Sequence, residues 1–167
     1  SDVYKRQDID QAVIKILENT LKYLNEKGNP IDGMTQRHMI VTYAQKERIN
    51  LLTSKETVKL IIDALEDKKA ENIQIIDISE VSSVADYFII TNGTNKSQVQ
   101  ALADNVGEKL DREGIHAKQV EGYSNANWIL LDYTDIVIHV FDRESRGFYD
   151  LERIWRDGKL ISADDFS

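Results

Sequence analysis

The apolar positions of this chain change their period several times, and each change predicts an element. Over residues 8–27, Ile9, Val13, Ile16, Leu17, Leu21 and Leu24 recur at three- and four-residue spacing, one face of an amphipathic helix. Gly28 is a natural stop, and Asn29-Pro30 cannot continue the helix. A second helix is expected over residues 35–50, with a thinner face of Met39, Tyr43 and Ile49. Thr53-Ser54-Lys55-Glu56 then has the form of a capping box, a Thr accepting from first-turn amides and a Glu reaching back. It opens a helix carrying Val58, Ile61, Ile62 and Leu65. Two helices with few strong contacts make a poor independent domain, so the fresh start at Thr53 is the expected boundary. Residues 1–7 show no periodicity and are expected to be a non-native leader.

Beyond Thr53, strand and helix patterns alternate. Residues 73–78 and 87–91 read as strands rich in β-branched and aromatic side chains. Asn92-Gly93-Thr94-Asn95 breaks the chain, and a helix follows with Val99, Leu102, Ala103, Val106 and Leu110 on one face and Gly114 as its stop. Residues 116–120 read as a weaker strand. Residues 128–132 and 135–141 read as a hairpin turning through Tyr133-Thr134. A last helix is expected over 143–156, with Phe148, Leu151, Ile154 and Trp155 spaced to pack. The order α-β-β-α-β-β-β-α predicts an α/β fold, one mixed sheet flanked by helices, with two extra helices in front.

Composition narrows the function classes. The 167 residues contain no Cys, which excludes disulfides, thiolate zinc sites and cysteine nucleophiles and is consistent with a reducing cytoplasm. The longest apolar runs are far too short to span a membrane. Charge is unevenly divided: residues 1–52 carry a balance of +1, and the remainder −9. An acidic surface opposes a nucleic-acid-binding role, which draws its affinity from Lys and Arg on phosphates. It favours encounter with a basic protein.

Catalytic motifs fail one by one. Gly93-Thr94-Asn95-Lys96-Ser97 lies between strand and helix but lacks the second Gly of a phosphate loop, and Ser97 or Asn95 reads as an ordinary N-cap. His38, His116 and His139 share no metal-ligand spacing, so no metal or cofactor is expected, and His139 reads as a structural residue of its strand. Asp8-Ile9-Asp10 alone has the Asp-x-Asp form that holds Mg²⁺, yet it sits where a first helical turn favours acids. The hairpin is more informative. A two-residue loop would pair Asp132 with Asp135, Leu130 with Val137 and Trp128 with His139. Trp128, Leu130, Val137, His139 and Phe141 would then share one sheet face with acids at its tip. Core packing is the simpler reading for Leu130 and Val137. Trp128 is open to either reading, core or protein interface.

Longer stretches resemble a known family. Asp86-Tyr87-Phe88-Ile89-Ile90-Thr91-Asn92-Gly93-Thr94, Glu121-Gly122, Trp128-Ile129-Leu130-Leu131-Asp132-Tyr133, Val137-Ile138-His139-Val140-Phe141 and Arg146-x-Phe148-Tyr149-x-Leu151-Glu152-x-x-Trp155 follow in order the pattern of the ribosomal silencing factor, or Iojap, family. Together they cover about a hundred residues. The resemblance implies a nucleotidyltransferase-like fold without catalytic carboxylates, and no enzyme activity. It implies a translational repressor that binds a basic protein of the large ribosomal subunit, the one numbered fourteen, and blocks joining of the small subunit when nutrients are short. It offers Trp128, Leu130, Asp132, Tyr133, His139, Phe141, Arg146 and Tyr149 as partner-binding residues. A homodimer is left open, as is the rival reading of a metal-dependent nucleotidyltransferase. One departure stands out: the family usually has Gly where this chain has Thr134, a position where φ > 0 is expected. Over residues 21–31 the chain is similar instead to the tail of YqeK-type HD-domain phosphohydrolases, whose metal-binding motifs are absent here, so residues 8–52 are expected to be a helical remnant without that activity.

Overall fold

The computed structural model describes residues 52–166, together with Glu18, Lys22 and Glu26. Those three are helical and exposed, within the first predicted helix. The predicted leader, the apolar face of that helix, the second helix, His38 and Asp8-Ile9-Asp10 lie outside the described residues. The chain divides into two compact units, Ser1–Thr53 and Ser54–Ser167.

In the second unit, helix α1 (Ser54–Asp67) starts directly after Thr53 and buries Val58, Ile61, Ile62 and Leu65. Helix α2 (Lys96–Arg112) buries the five apolar residues its spacing selected. Asn95 caps it: its backbone is extended and its Oδ1 accepts the Gln98 amide at 2.9 Å. The residues that follow Gly93 are therefore a helix start capped by Asn95.

Among the described residues, six strands form one mixed sheet in the order β3-β4-β5-β2-β1-β6. They are β1 (Glu71–Asp77), β2 (Tyr87–Gly93), β3 (Gln119–Glu121), β4 (Trp128–Asp132), β5 (Ile136–Asp142) and β6 (Lys159–Ile161). The central pair β2 and β5 runs parallel, and every other pairing is antiparallel. Parallel neighbours buried in a sheet read as near-continuous apolar runs, as Tyr87 to Ile90 do and as Ile136 to Phe141 do apart from His139.

Three features differ from the sequence reading. First, β2 runs on to Gly93, through residues expected to break the chain. Thr91 Oγ1 donates to the Glu71 carbonyl at 2.7 Å and Asn92 Nδ2 to Glu71 Oε1 at 2.9 Å, so both polar side chains are satisfied inside the sheet. Second, the last helix is broken. Asp150 adopts a left-handed conformation (φ 48°, ψ 55°) that separates α3 (Arg143–Tyr149) from α4 (Leu151–Ile154). Beyond them come β6 and a 3₁₀ turn (Ala163–Phe166), neither of which has a pattern long enough to read. Third, the hairpin pairs Trp128 with Phe141, Leu130 with His139 and Asp132 with Val137, a register two residues from the expected one. Asp132 and Asp135 are not opposed. The Asp135 carbonyl instead accepts the amides of Asp86 and Tyr87 at 2.7 and 3.1 Å, which ties it to the neighbouring segment. Because side chains alternate with period two, a two-residue slip leaves every residue on its expected face.

The two faces are covered unequally. Ile75, Ile89, Ile129, Leu131, Ile138 and Val140 are buried on one face, where α2 crosses β2, β4 and β5 and itself packs against α1. On the other face Ile76, Ile78, Ala85, Phe88, Ile90, Val137, Phe141 and Leu151 form a buried cluster, with Trp128, Leu130 and Trp155 half-buried at its margin. Among the described residues, the helices that lie over it are the short α3 and α4.

Candidate protein-binding face

Strands β4 and β5 set the site by alternation. Trp128, Leu130 and Asp132 leave β4 on the same side as Val137, His139 and Phe141 leave β5. The Trp128 ring lies 5.0 Å from Phe141 and 4.7 Å from Tyr149 of α3, centroid to centroid. Its Nε1–H donates to His139 Nδ1 at 3.0 Å. An accepting Nδ1 carries no proton, so the neutral imidazole holds its proton on Nε2. That atom is buried and has no hydrogen-bond partner among the described residues. Phe88 stands edge-on to the ring at 4.9 Å. Burial pushes the His139 pKa down to about 4, so the ring is neutral at pH 7. With only 4% of its surface exposed, His139 orients Trp128 from below.

The exposed part of this face comes from α3. Phe148 is 80% exposed and Tyr149 43%, with their rings 5.1 Å apart, so Phe148, Tyr149 and Trp128 form a continuous aromatic ridge beside the half-buried Leu130. Ile154, on α4, is 60% exposed. The helical spacing of Phe148 and Ile154 predicted packing positions. Both are exposed instead, the left-handed Asp150 breaks the helix between them, and no local pattern announces that break.

The other candidates do not all gather here. Phe141 is fully buried and, like His139, supports the ridge from beneath. Asp132 is half-buried and its Oδ1 accepts the Thr134 amide at 2.8 Å. Tyr133 lies on the opposite side of the sheet, lining a cleft of about 330 Å³ with Ala103, Asp104, Glu108, Asp111 and Tyr123. Its phenol is pushed up to about 12, first by burial and then by the charge of Asp111. Arg146 points inward to the sheet, with 13% of its side chain exposed. Among the described residues no group of His, Asp or Glu is arranged to hold a metal ion, and no helix is long and apolar enough to cross a membrane.

A family model described as "Ribosomal silencing factor during starvation" matches residues 52–167. This chain belongs to the ribosomal silencing factor family. The silencing factor of Bacillus subtilis is 40% identical over 113 residues, covering 68% of this chain and 96% of its own length. A crystal structure of a Chromobacterium violaceum protein superposes with a TM-score of 0.62 at 36% identity, over 66% of this chain and 92% of that one. A mouse protein named for mitochondrial assembly of the ribosomal large subunit is 26% identical, with the match covering 67% of this chain and 49% of the mouse protein. In this silencing factor the half-covered sheet face is therefore the surface whose role has to be explained.

Proposed function

We propose that this silencing factor represses translation by steric exclusion. It binds the large ribosomal subunit in the bacterial cytoplasm, through a basic ribosomal protein (the one numbered fourteen), and keeps the small subunit from joining. The observation that carries the reading is the aromatic ridge of Trp128, Tyr149 and Phe148 beside Leu130, exposed above a buried apolar sheet face. Large aromatic anchors dominate interface energies, and an exposed apolar patch on a domain this small marks a docking surface. Asp132 stands at the end of the same face, and the balance of −9 beyond residue 52 suits a basic partner. His139 and Phe141 support the ridge from within. The name of the mouse relative, with its ribosomal large subunit, agrees with the choice of subunit.

The test is sedimentation with separated subunits. The protein should travel with large subunits and not with small ones, and should lower the yield of joined ribosomes without any nucleotide being turned over. Phe148→Ala together with Tyr149→Ala should weaken binding at least tenfold while leaving the unfolding temperature within a few degrees. Equal affinity for both subunits would rule the proposal out.

A further inference from the structure

Helix α3 carries Phe148 and Tyr149, and no apolar side chain of its own is fully buried. A seven-residue helix is too short to be stable alone, and the left-handed Asp150 interrupts it before α4 can reinforce it. Its apolar contact with the sheet is the Tyr149 ring on Trp128 and Phe141, which by itself does not fix the place of α3. Polar contacts do. Asp142 caps it, its Oδ1 accepting the Ser145 amide at 2.7 Å. Arg143 donates to both carboxylate oxygens of Glu71 at 2.8 and 2.6 Å.

Arg146 reaches further. Its Nη1 donates to the Asn72 carbonyl at 2.6 Å, to Asn92 Oδ1 at 2.8 Å and, more loosely, to the Glu71 carbonyl at 3.4 Å. Its Nε and Nη2 both reach Glu152 Oε1, at 2.9 and 2.8 Å. One guanidinium thus joins β1 and β2 to α3 and, across the Asp150 break, to α4. The acceptors are themselves fixed: Asn92 is buried and donates to Glu71, and Asn72 is held at φ 48°. Only a planar fork of several N–H groups can satisfy acceptors on two sides at once, and a Lys ammonium at the end of a flexible stem cannot.

We infer that Arg146 is the positioning residue of the docking face, holding α3 so that Tyr149 stacks on Trp128 and Phe148 projects beside it. This rests on the proposed function and reassigns Arg146 from touching the partner to shaping what touches it.

A double-mutant cycle on the full chain, with purified large ribosomal subunits as the probe, tests it. R146K should weaken binding at least tenfold while keeping a cooperative unfolding transition. In the Phe148→Ala/Tyr149→Ala background the same change should cost no more than twofold further. The Trp128 indole N–H resonance of R146K, free of any ribosome, should shift towards its position in Tyr149→Ala. Glu152→Gln, which weakens the tie to α4 and leaves the sheet contacts intact, should shift it in the same direction should R146K fail to fold. Parent-like binding by R146K, additive losses in the cycle, or an unmoved indole resonance overturns the inference and leaves the docking face standing. Parent-like binding by Phe148→Ala/Tyr149→Ala instead overturns the docking face itself, and the inference with it.

Discussion

The Trp128 indole donates to His139 across the β4–β5 pairing, and that single bond fixes both the tautomer of the His and the plane of the Trp. It requires a neutral imidazole, and burial supplies one. Stability therefore depends on pH. The folded pKa of about 4 lies below the unfolded value of 6.5, so the unfolded chain binds the proton more tightly between them. The contribution is complete above about pH 6.5 and is lost as pH falls towards 4, about 3 kcal/mol in all. Urea unfolding from pH 7 to pH 5 should cost the parent about 2 kcal/mol more than His139→Gln. Parallel profiles for the two proteins would refute the buried neutral ring.

Trp128→Phe keeps an aromatic ring against Phe141 and Tyr149 but removes the donor to His139. A buried acceptor left without its partner should cost about 1–2 kcal/mol, measured by urea unfolding at pH 7.5. A loss below about 0.3 kcal/mol would mean that the bond is not formed in solution.

Thr134 sits in the hairpin at φ 72°, a conformation that a β-branched residue adopts only under strain. Its backbone N–H donates to Asp132 Oδ1, a hydrogen bond that does not need the threonine side chain and survives substitution. Thr134→Gly should raise stability by about 1 kcal/mol, read as a rise of a few degrees in unfolding temperature. A fall would show that the threonine side chain makes a compensating contact.

Gly122 turns the chain out of β3 at φ 79°, and a Cβ there would lie 2.0 Å from the Trp128 carbonyl oxygen. That oxygen belongs to the backbone and cannot swing aside. Gly122→Ala should cost at least about 2 kcal/mol in thermal unfolding and displace the Trp128 signals. A variant as stable as the parent would contradict this close approach.

The legible part of the candidate site is the part that alternation governs. Trp128, Leu130, His139 and Phe141 were placed on one sheet face by period alone, and they stayed there although the hairpin register slipped by two residues. Tyr133 entered through resemblance, and its odd position relative to Trp128 already sends it to the other side, where α2 covers it. Phe148 was legible only as one of a helical set, because nothing in residues 143–156 signals that Asp150 will take a left-handed conformation. Arg146 likewise has no sequence signal for its acceptors, which lie on β1 and β2, more than fifty residues away.

By itself the sequence determined the order of the described elements from α1 to β5, the faces of the strands, a helix start at Asn95 or Ser97 and the family. These follow from local sterics, capping and hydrophobic period, which act over a few residues. Tertiary structure alone decided the hairpin register, the break between α3 and α4, and which sheet face stays half open. Those depend on long-range partners: Asp135 held by the Asp86 and Tyr87 amides, and α3 held by Arg146 on distant strands. A periodic pattern states which side a residue takes, and only the folded chain supplies what it meets there.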